Sequence, residues 1–207
     1  IEEPMAAAIG EDISVSSSTG IMVVDIGGGT TEIAVISLGG VVVGRSLRVA
    51  GYEMDQAILH YMRLRHGLLL GERTAEEIKI AIGSAIPVEN EERFEIKGRD
   101  LLTGLPRSTN ITTNEIVKAI DGELKEIMKT IKRVLQETPP ELASDIIDQG
   151  IVLTGGSSLL RNIEELVYRS TGVRARVSDD PLLCVAKGTG VALEHLDTYK
   201  RSILAKR

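Results

Sequence analysis

Residues 21–36 read Ile-Met-Val-Val-Asp-Ile-Gly-Gly-Gly-Thr-Thr-Glu-Ile-Ala-Val-Ile. Two apolar, β-rich runs are separated here by three glycines, and glycine adopts positive φ at no steric cost. The segment therefore predicts a tight β-hairpin. A second glycine-containing break, Leu-Gly-Gly at 38–40, is followed by three valines at 41–43. This pattern predicts a third strand antiparallel to the second.

The turn from Asp25 to Thr31 has the composition of a phosphate-binding loop. A phosphate chain needs several backbone N–H donors converging on it, and glycines let the backbone approach because they carry no Cβ. Asp25 ends a predicted buried strand, where a carboxylate is costly unless it meets donors or a cation. A hydrated magnesium ion would satisfy it. A plain glycine hairpin in which Asp25 caps the turn is the open alternative.

A second glycine turn, Leu-Thr-Gly-Gly-Ser-Ser at 153–158, lies between a predicted buried strand over 151–154 and a predicted helix beginning at Ser157. The N-terminus of such a helix offers free N–H groups to an anion. Taken alone, this loop favours an ordinary turn with Ser157 or Ser158 as the helix N-cap. Neither loop matches the Gly-x-x-x-x-Gly-Lys-Ser/Thr of P-loop NTPases or the Gly-x-Gly-x-x-Gly of dinucleotide-binding folds.

Helical spacing of apolar residues predicts a helix over 53–65, and the Thr74–Glu77 pair has the form of a capping box that starts a second helix through Ala85. The polar segment 87–112 predicts short strands in a peripheral lobe. Its expected turn residues are Asn90, Gly98, Gly104 and Pro106.

Two further helices follow in the second half of the chain. An amphipathic pattern from Ile116 to Val134 predicts a long helix that ends at the prolines 139–140. Asp180, followed by a proline, predicts the N-cap of a last helix that reaches about Leu196.

Composition narrows the class of protein. The chain has 207 residues, a formal net charge of −6 and 2% aromatic residues, so the core must be aliphatic and nucleic acid is a poor default partner. The single cysteine, Cys184, lies in an apolar stretch and is expected to be a core residue. Without a signal peptide or an apolar run of ~20 residues, the chain is expected to be cytoplasmic. Basic residues gather at 199–201 and 206–207, where a solvated terminus is favoured over contact with acidic lipid.

The two glycine turns together resemble the actin, Hsp70 and sugar-kinase superfamily, in which they are the second phosphate loop and the adenosine loop. Residues 2–10 and 181–192 resemble its two connecting helices. The likeness is closest to the MreB group of bacterial actins and runs essentially from end to end. It is carried by Val-Ala-Gly at 49–51, Gly-Glu-Arg-Thr-Ala-Glu at 71–76 and Thr-Pro-Pro-Glu-Leu at 138–142.

The resemblance implies an α/β fold of the actin-like, ribonuclease H-like ATPase type with a smaller inserted α+β subdomain. The implied divisions are a connecting helix and link (1–19), a nucleotide-binding core (20–66 with 113–196), the inserted subdomain (67–112) and a C-terminal tail (197–207). The superfamily's first phosphate loop, an Asp-x-Gly-Thr hairpin, is not found in these residues. The isolated segment is therefore expected to bind ATP weakly and to hydrolyse it negligibly.

The resemblance also implies ATP and Mg²⁺ as cofactors. Asp25 would hold the magnesium ion through water, and Glu3 would orient the attacking water with help from Thr30. Glu76 and Lys79, three apart on one helix, would contact the ribose and base, although a surface ion pair is the alternative. The phosphate and adenosine loops would be formed by Gly27, Gly28, Gly29, Thr30, Thr154, Gly155, Gly156 and Ser157.

Some positions depart from the family pattern. Ser157 stands where many relatives have a third glycine, Tyr52 replaces a common acidic residue, and Ala81 replaces a common glutamate. The implied function is an ATP-driven filament of self-associating subunits that maintains rod shape at the inner membrane surface, with cell-wall elongation proteins and membrane-embedded shape proteins as partners. A metabolic sugar or acid kinase of the superfamily and a non-hydrolysing nucleotide-binding scaffold are the alternatives.

Overall fold

The computed structural model describes residues 1–199. The basic residues at 200–201 and 206–207, for which a solvated terminus was expected, lie outside that range. The helices are α1 (Glu3–Gly10), α2 (Gly51–His66), α3 (Glu72–Ile82), α4 (Thr113–Glu137), α5 (Pro140–Gln149), α6 (Ile163–Thr171) and α7 (Cys184–Glu194). The strands are β1 (Ile21–Ile26), β2 (Thr31–Ser37), β3 (Gly40–Leu47), β4 (Leu68–Leu69), β5 (Arg93–Asp100), β6 (Pro106–Thr112), β7 (Ile151–Thr154) and β8 (Ala175–Val177). None of the described helices is long and apolar enough to cross a membrane.

A five-stranded sheet of order β3-β2-β1-β7-β8 forms the centre of the fold. The predicted meander is confirmed, because β1, β2 and β3 pair antiparallel in chain order. β7 and β8 then add parallel strands on the other side of β1. This register places Asp25 of β1 opposite Thr154 of β7, so both glycine turns leave the sheet at the same edge.

Helices cover both faces of this sheet. Alternate residues of β1 point to opposite sides, and Met22 and Val24 join the larger core with α2, α4 and α6, whereas Val23 joins a smaller core with α1 and α7. α1 and α7 cross with their backbones in contact, since a Cβ added to Gly188 would lie 1.7 Å from the carbonyl oxygen of Ala6. Cys184 is buried in this smaller core, as predicted.

A second sheet of order β4-β5-β6 is built from residues 68–112. Its strands are all antiparallel, and they lie inside the segment predicted as an inserted subdomain, whose boundaries stay a prediction. Gly98 was predicted to be a turn residue, and this prediction is wrong. It lies within β5, where an added Cβ would come 2.5 Å from the carbonyl oxygen of Leu69, so the glycine permits a close strand approach. The turn itself is at Gly104, with φ of +72°.

The predicted capping box at Thr74 is wrong. α3 begins at Glu72, two residues before Thr74 and directly after an extended Gly71, so Thr74 lies inside the first turn. Glu77 accepts a hydrogen bond from Arg73 at 3.1 Å and does not reach back to cap the helix. This type of cap is present at α4. There the carboxylate of Glu115, at helix position N3, accepts a hydrogen bond from the backbone N–H of the N-cap residue Thr112 at 3.0 Å.

Three helix boundaries in the second half also differ from expectation. The residues after the second glycine turn form a single 3-10 turn, Gly156–Leu159, because Asn162 adopts a left-handed conformation and α6 begins only after it. Pro140 starts α5, which the sequence reading missed. The last helix begins at Cys184 and not at Pro181, since residues 181–183 form a turn.

Candidate functional site

The first glycine turn is short and open. The N–H of Gly27 donates to the carbonyl oxygen of Thr30 at 2.9 Å and closes the β1–β2 hairpin. Gly28 and Gly29 are exposed, and an added Cβ on either would have no atom within 4 Å. The turn therefore presents bare backbone to a ligand, with no side chain in the way.

The second glycine turn contacts the first. Gly155 has φ of +82°, and an added Cβ would lie 2.4 Å from the carbonyl oxygen of Ile26, so only glycine fits there. Ser157 donates its hydroxyl to the carbonyl oxygen of Gly27 at 2.8 Å. The two turns, 130 residues apart in sequence, thus form one continuous backbone surface at the edge of the sheet.

Asp25 lies directly beneath both turns. It is 6% exposed, and one carboxylate oxygen accepts a hydrogen bond from the hydroxyl of the fully buried Thr154 at 2.8 Å. Burial raises the pKa of Asp25, the bond from Thr154 opposes that rise, and the negative charge of Glu3 adds to it. A buried carboxylate with one hydrogen-bond donor and a neighbouring negative charge is an electrostatic environment that a cation would stabilise.

A cavity of about 860 Å³ opens beside the turns. Its lining includes Gly27 and Gly28 of the first turn, Gly156 and Ser157 of the second, and residues of α3. This volume lies within the range of small-ligand sites, about 300–1,000 Å³. The predicted residues that line the cavity are Gly27, Gly28, Glu76, Lys79, Gly156 and Ser157.

Lys79 is held by α2 and not by its predicted neighbour Glu76. Its ammonium group donates to the carbonyl oxygen of Gly51 at 2.8 Å and forms an ion pair with Asp55 at 2.8 Å. Both side chains of this pair are nearly buried, 13% and 12% exposed. Burial raises the pKa of Asp55 and Lys79 opposes the rise. The pair fixes α3 against α2 across the cavity, so the alternative of a surface ion pair between Glu76 and Lys79 is wrong.

The other predicted site residues lie around the cavity without lining it. Asp25, Thr154 and Gly155 are buried, whereas Gly29 is exposed and Thr30 half-buried in the first turn. Glu3 is exposed at the first position of α1, close enough for its charge to affect Asp25.

Several lining residues were not predicted as site residues. Tyr52 is the second residue of α2 and lines the cavity. Its backbone N–H donates to the carbonyl oxygen of Gly28 at 2.7 Å. Asp55 follows one turn later. Arg161 reaches the cavity from the segment before α6, with its Nε donating to the carbonyl oxygen of Gly83 at 2.9 Å. The spacing of apolar residues predicted most of α2, whereas nothing local in sequence indicated Arg161.

Comparisons with known proteins agree on one family. The family model for MreB/Mbl protein matches residues 1–201. The cell shape-determining protein MreB of Escherichia coli strain K12 is 52% identical over 199 residues, which cover 96% of this chain and 57% of that protein. The chain therefore spans less than two thirds of the length of this relative.

Solved structures give the same result. The crystal structure of MreB5 of Spiroplasma citri bound to AMPPNP superposes with a TM-score of 0.91 at 36% identity, covering 98% of this chain and 61% of that one. The MamK double helical filament superposes with a TM-score of 0.75 at 23% identity over 93% of this chain and 58% of that one, which shows a shared fold. The five-stranded sheet, the two contacting glycine turns and the match along nearly the whole chain lead to one conclusion: the chain has an actin-like fold and belongs to the MreB/Mbl protein family.

Proposed function

We propose that this chain forms one wall of the ATP site of an actin-like filament protein that maintains rod cell shape. The observation that supports this most is the cavity of about 860 Å³ that Gly27–Gly28 and Gly156–Ser157 line together. A nucleoside triphosphate needs a site where backbone donors and a concave apolar surface adjoin. The 36% identical MreB5 of Spiroplasma citri binds AMPPNP, and its likeness to this chain supports the same ligand class here.

In this proposal the β- and γ-phosphates lie against the first turn. Gly28 and Gly29 offer exposed backbone there, and Thr30 adds a half-buried hydroxyl. Gly155, Gly156 and Ser157 lie behind the α-phosphate and the adenine. The hydroxyl of Ser157 is already used on Gly27, so the second turn contributes backbone and shape.

The residues around Asp25 fit a magnesium ion. Among residues 1–199, no group of three acidic, histidine or cysteine side chains could hold a metal by itself. Asp25 would therefore act through the ion's water shell, as Mg²⁺ commonly does with one carboxylate and substrate phosphates. Bound there, the ion would neutralise phosphate charge, and the hydrogen bond from Thr154 would keep Asp25 in place.

Hydrolysis requires a water held in line with the bond between the γ-phosphorus and the bridging oxygen. Glu3 is the candidate to orient that water, since its carboxylate is exposed at the start of α1 and near Asp25. The water oxygen would form the new bond to phosphorus as the bridging oxygen leaves on ADP. Thr30, at the end of the turn, would assist.

The nucleoside would lie between α3 and the second turn. Glu76 is exposed toward the cavity and can accept hydrogen bonds from ribose hydroxyls. Lys79 has one remaining N–H after its contacts with Gly51 and Asp55. Its main contribution is to fix the spacing of α2 and α3, and hence the width of the cavity.

The whole protein would polymerise with ATP, release subunits after hydrolysis, and organise cell-wall synthesis from the inner face of the membrane. Cell-wall elongation proteins and membrane-embedded shape proteins would be its partners. The chain alone lacks the first phosphate loop expected for the superfamily, so we expect weak ATP binding and negligible turnover from residues 1–207 by themselves.

Sedimentation of the full-length protein with ATP, measured together with phosphate release, tests the function. We expect pelleting that depends on ATP and is accompanied by phosphate release. A protein that releases no phosphate while pelleting would be a scaffold, and one that transfers phosphate to a small acceptor without pelleting would be a kinase. Either result would reject the proposal.

A further inference from the structure

Two carbonyl oxygens of the first glycine turn are held by groups outside the turn. The oxygen of Gly27 accepts a hydrogen bond from the hydroxyl of Ser157 at 2.8 Å and another from the backbone N–H of Gly51 at 3.2 Å. The oxygen of Gly28 accepts one from the backbone N–H of Tyr52 at 2.7 Å. The second turn and the start of α2 therefore orient the two peptide units that follow Gly27 and Gly28.

A held carbonyl group also orients the N–H of its own peptide unit. In a trans peptide unit the C=O and the N–H point in opposite directions. The N–H of Gly28 belongs to the same unit as the carbonyl of Gly27, and the N–H of Gly29 to the same unit as the carbonyl of Gly28. Among residues 1–199 neither N–H has an acceptor, and both glycines are exposed. Both N–H groups are therefore turned away from Ser157 and α2, toward the open side of the turn.

In the part of the chain that the structure describes, Ser157 is the one side chain that donates to these carbonyl oxygens. Its 2.8 Å bond has the usual length for a hydroxyl donor, whereas the 3.2 Å bond from Gly51 is at the long end of the range for a backbone donor. The hydroxyl is also closely packed, because a Cβ added to Gly51 would lie 2.5 Å from it. Glycine peptide units reorient easily, so this bond is a strong local restraint. The glycine that many relatives have at this position offers no such donor.

We propose that Ser157 is a positioning residue for the terminal phosphates of the nucleotide: its hydroxyl fixes the Gly27–Gly28 peptide unit so that the N–H of Gly28 is presented to a β- or γ-phosphate oxygen. The inference rests on the proposed function and adds a role for a side chain that does not itself touch the phosphates. A donor that is already oriented costs no reorganisation when the anion binds. Loss of the hydroxyl frees the peptide unit to turn, and its ordering is then charged against binding.

This role predicts an effect that depends on the number of phosphates. Only a ligand with β- and γ-phosphates reaches the first turn, whereas a nucleoside monophosphate contacts the second. The second turn has bonds of its own that do not use the Ser157 hydroxyl. The N–H of Gly155 donates to the carbonyl oxygen of Pro181 at 2.9 Å, and the hydroxyl of Ser158 donates to that of Gly155 at 2.6 Å. Removing the Ser157 hydroxyl should therefore weaken triphosphate binding and leave monophosphate binding nearly unchanged.

Isothermal titration calorimetry of the full-length protein with Mg²⁺, using AMPPNP and AMP as separate ligands, measures this selectivity. Ser157→Ala should weaken AMPPNP binding about fivefold and AMP binding less than twofold. Ser157→Gly, which installs the residue of many relatives, should show the same selective loss. Ser158→Ala is the matched control, because it removes a hydroxyl bond within the second turn and leaves Gly27 held. Its ratio of AMPPNP to AMP affinity should stay that of the unsubstituted protein.

The AMP measurement also serves as the folding control, since a general loss of structure lowers both affinities together. Equal losses for AMP and AMPPNP in Ser157→Ala would show that the serine only stabilises the fold. Unchanged AMPPNP binding would show that the peptide unit keeps its orientation without the hydroxyl. Either result overturns the inference and leaves the proposed nucleotide site intact. Failure of the unsubstituted full-length protein to bind AMPPNP would instead reject the proposed function, and the inference with it.

Discussion

The ion pair between Lys79 and Asp55 offers a quantitative test of how the cavity is built. Replacing Lys79 by methionine keeps the length of the side chain but leaves the carboxylate of Asp55, which is 12% exposed, without its cation. It also leaves the carbonyl oxygen of Gly51 without its donor. Removing one partner of a nearly buried pair costs about 3–5 kcal/mol, and we expect about 3 kcal/mol here because Asp55 retains some solvent contact.

The cost should depend on the partner and on pH. Asp55→Asn in the Lys79→Met background should restore most of the stability, with a coupling energy of about 2 kcal/mol. Burial already raises the pKa of Asp55, and loss of Lys79 would raise it further. A raised pKa in the folded state means that the folded chain takes up the proton first as pH falls. The penalty of Lys79→Met should therefore be full at neutral pH and shrink in acid.

Urea unfolding followed by circular dichroism measures these free energies. Lys125→Met is the matched control, since Lys125 pairs with Asp121 on the surface of α4, where both side chains are more than half exposed. That control should cost less than about 0.5 kcal/mol. If Lys79→Met costs no more than Lys125→Met, or if the coupling is near zero, the pair does not hold α2 and α3 together as described.

The remaining predictions concern the turns. Gly155→Ala should destabilise the fold by about 3 kcal/mol, because the residue needs positive φ and an added Cβ would meet backbone atoms. Gly172→Ala is the control: its φ is +76° but the space around it is open, so it should cost about 1–2 kcal/mol. Thermal unfolding of the two variants compares these costs. Asp25→Asn should stabilise the ligand-free chain at neutral pH, because burial raises the pKa of Asp25 and disfavours its charged form. The gain in stability should vanish in acid, where Asp25 is protonated. Equal melting temperatures of the variant and the unsubstituted chain at neutral pH would contradict this prediction. Ser157→Ala should cost about 1 kcal/mol through the lost bond to Gly27, measured by urea unfolding.

The sequence predicted the parts of the fold that local patterns determine. The β1–β3 meander follows from apolar runs broken by glycines, and α4 follows from an uninterrupted amphipathic stripe. The contact between Gly27 and Ser157 required more than local pattern. It arises because β7 inserts beside β1 in parallel, and only the family resemblance connected two segments so far apart in the chain.

Local signals failed where tertiary contacts decided the outcome. Thr74 and Glu77 have the spacing of a capping box, yet Glu77 pairs with Arg73 and the helix starts earlier. Lys79 lines the cavity, but its ion-pair partner Asp55 is on another helix, which no i,i+3 pattern could indicate. Arg161 reaches the cavity because Gly83 holds its guanidinium, and this contact has no local sequence signature.

The proposed nucleotide site requires that both backbone turns contact the same nucleotide. Amide NMR of the isotope-labelled chain, titrated with AMPPNP and Mg²⁺, observes both turns directly even when binding is weak. We predict that the N–H signals of Gly28 and Gly156 shift together along one saturable curve, with those of Glu76 and Lys79 following. Saturable shifts confined to one turn, or a titration that leaves both turns unchanged, would contradict the claim that they form one nucleotide site.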